Sequence, residues 1–193
     1  MTEVVVQPMV FLRPGGDVRH GYSEFPVSRS LWCQMEKSLG CGDIANEPQS
    51  VEGPKGFPAG GPRDGELASA NNERFGVLDG VLAPNGNPWP VTSVVGGQVY
   101  QFQWWLTAPH STAKFHYYLT RQGWDQSTRL TRKHFELEPW LTVQFQSGEV
   151  PDKAVAHWAR IPSGRRGRHV LYAVWDVADT VNAFYSACDV DFG

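Results

Sequence analysis

The sequence predicts an all-β sandwich, and three observations predict it. From residue 91 onward the chain is a succession of short runs rich in β-branched and aromatic residues, separated by turn formers. Residues 46–90 carry little periodicity and many Gly and Pro residues, which marks a long ordered connection rather than a helix bundle. The length, 193 residues, suits one domain with a real core.

The elements follow in order. Residues 1–19, MTEVVVQPMVFLRPGGDVR, are apolar in part, but Gln7 and Pro8 interrupt the run and no Lys or Arg precedes it. Asp17, Val18 and Arg19 before His20 do not form an A-x-A cleavage site, so the segment reads as a leader or extension that is a poor signal peptide. The globular text, 20–193, opens on one short strand-like stretch and continues through Cys33 and Cys41. The following stretch, 46–90, scatters Phe57, Phe75, Leu78 and Trp89 among its turn formers, which argues that it packs down on the domain. Beyond it, GGQVYQFQWWLTA and AKFHYYLT alternate with the period of a half-buried strand. WLTVQFQ, RHVLYAVWDV and NAFYSACDVDF complete the strand set. Helix is expected only as short turns in 30–39, 69–75 and 131–135.

Composition narrows function. A formal net charge of −3 provides no basic field for nucleic acid or an anionic membrane. No run approaches the roughly 18–20 apolar residues that span a bilayer. Eight Trp serve either a core or a flat sugar-binding surface, and the core is the default because Trp is mostly buried. Three cysteines do not pair evenly. Cys33 and Cys41 are close enough to bridge if the loop folds back, which implies an oxidising compartment; three reduced thiols are the alternative. Cys188 falls in the last strand text and reads as a buried free thiol.

Of six His, His116, His134, His157 and His169 lie in strand or turn text and read as structural imidazoles. His110 differs because Pro109 ends the ladder just before it, freeing its side chain to point from the sandwich edge. His20 differs because it opens the globular text and Gly21 follows it. Glu47 and Glu52 read as a glycosidase acid–base pair or as part of a solvated loop, and spacing alone does not choose.

HGYSEFPVSR (20–29) resembles the opening of mature bacterial-type lytic polysaccharide monooxygenases, the chitin-binding auxiliary activity family ten. NEPQSVEGPKGFPAGGPRDGELASA (46–70), LTAPHST (106–112), LTRKHFEL (130–137) and VLYAVWDVADTVNAFY (170–185) resemble the family's other blocks, in order. The resemblance implies a fibronectin type III/immunoglobulin-like β-sandwich with a long, partly helical loop insertion after the first strand. It implies one copper ion held by His20 and His110, and a Cys33–Cys41 disulfide. It also implies oxidative cleavage of crystalline chitin, or cellulose, by a secreted monomer using an external reductant and O2 or H2O2. Phe184 and Ala108 match the residues on either side of the copper, and Glu52 a polar residue near it. Asn46, Glu47, Pro48, Glu52, Asp179 and Asn182 match the substrate face. Asn46 departs from the aromatic that relatives often carry, and Leu141 with Ala159 replace a second disulfide.

The implied copper site makes the position of His20 chemically demanding. The α-amine and Nδ1 of one His chelate the metal, and the second His sits opposite. Three nitrogens in this arrangement suit Cu(II). A free amine, with a pKa of about 7.7–8.0, yields its proton to the metal, whereas an amide nitrogen offers no comparable lone pair. The site is therefore expected only after cleavage of Arg19–His20. If residues 1–19 stay attached, the expectation is a non-catalytic chitin-binding or adhesion module.

Overall fold

The computed structural model describes residues 21–146 and 148–193; the expectations for residues 1–19 and for His20 lie outside the described residues. Among the described residues, nine strands run in chain order: β1 Gly21–Phe25, β2 Glu52–Pro54, β3 Thr92–Ser93, β4 Val99–Leu106, β5 Thr112–Leu119, β6 Leu141–Gln144, β7 Ala154–Arg160, β8 Arg168–Val177 and β9 Asn182–Asp191. They form two sheets. One has the order β1-β4-β7; the other has the order β2-β9-β8-β5-β6, with β3 adding in parallel to β9. This is the expected β-sandwich, and the expected insertion follows β1. The insertion holds the helix α1, Arg29–Met35, and 3-10 turns at Lys37–Leu39, Gly42–Ala45 and Glu73–Asp79.

Helix α1 starts where the Ser28 side chain accepts a hydrogen bond from Leu31 N, satisfying one otherwise orphaned donor. Its Arg29 is buried, and its guanidinium grips Asp189 of β9 at 2.7 Å and 3.3 Å. Cys33 and Cys41 are bridged, with Cα atoms 5.6 Å apart. Closing so short a loop contributes about 2–3 kcal/mol by restricting the unfolded chain. Cys188 is a buried free thiol, and burial pushes its pKa up.

Two apolar clusters use the two faces of the larger sheet. Phe115, Tyr117, Leu171, Trp175 and Phe184 meet Phe102, Trp104 and Leu106 of β4 between the sheets. Leu141 and Ala159 pack against this cluster, so apolar side chains stand at the two positions where the resemblance implies a second disulfide in relatives. On the opposite face, Tyr118, Tyr172 and Tyr185 meet Ile44, Val51, Phe57, Phe75 and Trp89 from the insertion. Strands β8 and β9 are consequently buried on both faces along nearly their whole length. Phe57 packs edge-on against Tyr118 and Tyr172, at 4.9 Å and 5.0 Å between ring centres. The Tyr172 hydroxyl donates to the Leu67 carbonyl across 2.7 Å.

The structure differs from the sequence expectation in three local places. The turn expected at 69–75 forms at Glu73–Asp79, where the Asn72 side chain caps it by accepting from Arg74 N. AVAHWAR is a full strand, β7, with alternate residues buried. Residues 52–54 and 92–93, within or beside the long connection, pair as β2 and β3. Of the other His residues, His116 contacts Tyr118, His134 closes a cap with Thr131, His157 contacts Tyr117 and His169 contacts Thr120, all as structural imidazoles.

Gly53 shows how tightly β2 docks. A Cβ there would lie 2.2 Å from the Ala70 carbonyl oxygen and 2.9 Å from its Cβ. Ala70 is itself buried with a positive φ of 57°, so it has little freedom to yield. Gly53→Ala is expected to destabilise the fold by about 1–3 kcal/mol through overpacking, read as a lowered denaturation midpoint. An unchanged midpoint would show that β2 tolerates movement.

Candidate metal centre

The connection between β4 and β5 is only Thr107–Ser111, and it carries Ala108 and His110 to one end of the sandwich. Pro109 lies between them and cannot extend the ladder. A hydrogen-bond chain then fixes the backbone of His110. Trp175 Nε1 donates to Thr112 Oγ1 at 2.9 Å, and that hydroxyl donates to the His110 carbonyl at 2.9 Å. Ala178 N donates to the Ser111 carbonyl at 2.6 Å, tying the same loop to the end of β8.

The imidazole of His110 has two aromatic neighbours. Phe184 lies nearly parallel to it, 6.2 Å away between ring centres and inclined by 18°. Trp175 lies 5.9 Å away. Phe184 and Trp175 stack on each other at 4.9 Å and are both buried, so His110, partly exposed, has a rigid floor. Ala108 is also partly exposed.

Gly21, the residue after His20, begins β1 at this same end and pairs with Leu106. A Cβ on Gly21 would lie 2.5 Å from Leu106 Cδ2 and 3.3 Å from the Trp175 ring. The backbone at Gly21 thus passes close against the ring that also borders His110, and a side chain there would need Leu106 to shift. His20 itself lies outside the described residues. Among the described residues, no group of three or more His, Cys, Asp or Glu could hold a metal. Among the described residues, His110 offers one imidazole of the kind that suits copper; the other nitrogens that the sequence resemblance implies, those of His20, lie outside them.

Strand β2 brings Glu52 to the same edge. Glu52 pairs with Phe184, and Asn182, two residues earlier on the same face of β9, donates its amide to Glu52 Oε1 at 2.9 Å. Glu47, Glu52 and Asn182 line one shallow polar depression with Ser50, Asn72 and Arg74. Arg74 donates to Glu47 and, at 3.4 Å, to Asp43. Asn46 is exposed beside Glu47, Asp179 is exposed in the β8–β9 turn, and Pro48 is buried. The structure therefore brings together Glu47, Glu52, Asn182, Phe184 and His110 at one end, while Pro48 turns inward.

Sequence reasoning missed Thr112, Trp175, Asn72 and Arg74. Trp175 sits inside an apolar strand run and gave no sign of bordering the site. Nothing in the sequence tied Arg74 to Glu47, which lies 27 positions away on another part of the insertion.

Comparison with known proteins follows the same outline. The family model described as lytic polysaccharide mono-oxygenase, cellulose-degrading, matches residues 20–190. GlcNAc-binding protein A of Shewanella oneidensis is 44% identical over 174 residues, which cover 90% of this chain and 35% of that protein. The AA10 lytic polysaccharide monooxygenase from Streptomyces lividans superposes with a TM-score of 0.87 at 50% identity, covering 90% of this chain and 100% of that one. A Bacillus amyloliquefaciens CBM33 in complex with Cu(I) superposes with a TM-score of 0.79 at 42% identity, covering 89% and 99%. The chain spans a third to a half of the length of the first curated relatives it matches. With the family model matching residues 20–190 and a solved member superposing over 90% of it, the chain belongs to the lytic polysaccharide mono-oxygenase family.

Proposed function

We propose that this chain, once His20 is its first residue, is a copper-dependent monooxygenase that cleaves crystalline chitin oxidatively. The observation that carries the reading is His110 on its Phe184–Trp175 floor, at the end of the sandwich where β1 begins at Gly21. Copper held by His20 and His110 would supply the one-electron chemistry that lets O2 or H2O2, with an external reductant, attack a C–H bond at the glycosidic linkage. The chain's own residues do the rest. Trp175 and Thr112 orient the His110 loop, and Phe184 closes one side of the imidazole. Glu52, held by Asn182, is the carboxylate paired with Phe184 and is positioned to move a proton at that edge. The polar depression and Asp179 offer hydrogen bonds to a polymer surface. The name of the Shewanella oneidensis relative supports an N-acetylglucosamine polymer, and the Cys33–Cys41 disulfide supports a secreted protein.

The test is product analysis. Protein beginning at His20, loaded with copper and given chitin, ascorbate and O2, is expected to release oxidised chito-oligosaccharides detectable by mass spectrometry. A second reading, a binding or adhesion module, is favoured by that same relative's name, and it gains if chitin is bound but no oxidised product forms. The hydrolase reading with Glu47 and Glu52 requires product in chelator without reductant. Arg74 holds Glu47 in an ion pair, which favours a binding role for that carboxylate.

Binding and metal are expected to separate. Because the depression is built from side chains of the insertion and β9, chitin pull-down should survive chelator. Complete loss of binding in chelator would count against this. Asn46→Tyr places a ring on an exposed rim position and is expected to tighten binding by about 0.5–1.5 kcal/mol, if a ring–sugar contact resembles other aromatic contacts. Adsorption isotherms check it.

A further inference from the structure

We propose that Arg74 is a specificity-determining residue of the polar depression, and that with Glu47 it selects glycans carrying acetamido groups over those carrying only hydroxyls. The inference rests on the reading of this face as the polysaccharide-binding surface.

Arg74 is aimed rather than loose. Its backbone N–H is held by the Asn72 side chain at 3.1 Å, at the start of the Glu73–Asp79 turn. Its Nη2 donates to Glu47 and, at 3.4 Å, to Asp43. Its guanidinium carbon lies 5.3 Å from the centre of the Phe75 ring, and that ring is buried. Two carboxylates and one ring thus fix a planar group whose side chain is still 59% exposed. Among the described residues, the Nη1 and Nε donors are not engaged. Guanidinium is weakly hydrated, so presenting these donors to a ligand costs less desolvation than an ammonium would.

The donor and acceptor pattern then selects the ligand. Arginine only donates, and an ionised Glu47 only accepts. A secondary amide offers an acceptor carbonyl on one edge and a donor N–H on the other, so an acetamido group can satisfy both at once. A hydroxyl is a weaker acceptor than an amide carbonyl and offers one group where this pair addresses two. Ser50, Asn72 and Asn182 complete the depression with groups that both donate and accept, which serve either polymer. The discrimination is therefore assigned to Arg74 with Glu47. The exposed Asn46 on the same stretch offers no ring platform that would make binding indifferent to the substituent.

The experiment uses metal-free protein beginning at His20, with adsorption isotherms on chitin and on cellulose for wild type, Arg74→Ala and Arg74→Lys. Arg74→Ala is expected to weaken chitin binding about 10-fold, the size of a lost hydrogen bond to a charged group, and to weaken cellulose binding by clearly less. Arg74→Lys keeps the charge without the fork and is expected to recover only part of the loss. The side chain is exposed, and unchanged denaturation midpoints confirm that the variants are folded. Unchanged chitin binding in Arg74→Ala, or an equal loss on both polymers, overturns the proposal; the latter would mean that Arg74 merely braces Glu47. Wild-type protein that adsorbs to neither polymer overturns the polysaccharide-face reading itself, and this inference with it.

Discussion

Removing the His110 imidazole is expected to lower Cu(II) affinity by more than about 100-fold in protein that begins at His20, exceeding the 10–100-fold typical of losing an outer-shell partner. The fold should survive, because His110 is partly exposed and its floor of Phe184 and Trp175 stays intact without it. His110→Ala should therefore keep its denaturation midpoint and much of its chitin adsorption while losing oxidised products. Retaining residues 1–19 should reach the same chemical result by another route. The α-amine is then consumed in an amide, so one of three nitrogen ligands and the chelate ring are both gone. Copper titration and product mass spectra on the two lengths, stripped of metal and reloaded identically, decide the matter. Equal activity from a chain shown uncleaved by intact mass after the assay would overturn the two-histidine site for this protein.

The second large effect is on stability against acid. His157 is 7% exposed, and burial lowers its pKa from 6.5 to about 4. Its Nδ1 meets the Tyr117 hydroxyl at 2.7 Å, while its buried Nε2 has no hydrogen-bond partner among the described residues. The sign follows from the direction of the shift. The unfolded chain takes up a proton near pH 6.5, and the folded chain resists until about pH 4. Stability is thus full above pH 6.5 and falls between those values, by up to about 3 kcal/mol from this residue. Burial also holds His134 and His169 below the ordinary histidine value, so their contributions share the sign. His157→Gln keeps an acceptor for Tyr117 but cannot titrate. Its unfolding free energy should depend less steeply on pH between 6.5 and 4 than the wild type's, as read by denaturant titration. Identical pH slopes would show that the imidazole is not kept neutral.

Both effects trace to residues whose visibility in the sequence differed sharply. His110 was legible because Pro109 interrupts strand text just ahead of it, and the resemblance of LTAPHST to a family block gave it a role. His157 was legible only as a histidine in strand or turn text. Its partner, Tyr117, lies 40 positions away on the other sheet, and no local pattern reports a contact across a sandwich. The strands with clean alternation, β4 and β5, were read directly. AVAHWAR shows no clean strand pattern in the sequence, because alanines at its exposed positions blur the contrast between its faces. Strands β2 and β3 were hidden because two or three residues carry no period, and they exist through pairing with β9. The substrate depression was partly legible: Glu47, Glu52 and Asn182 came from the family resemblance. Arg74 came only with coordinates, because its partner Glu47 lies on another segment of the insertion.

The double coverage of β8 and β9 also has a temporal side. The insertion emerges from synthesis early, yet many of its apolar side chains close against β8 and β9, which are made much later. Glu52 pairs with Phe184, and Leu67 accepts from Tyr172, 105 positions away. Contacts this distant in sequence pay their loop-closure entropy late. A nascent chain must therefore carry much of residues 26–98 without their β8 and β9 partners until residues 168–191 have been released. The edge that holds Glu52, Asn182 and Phe184 comes into being only at that moment, so assembly of the face and completion of the fold are one event.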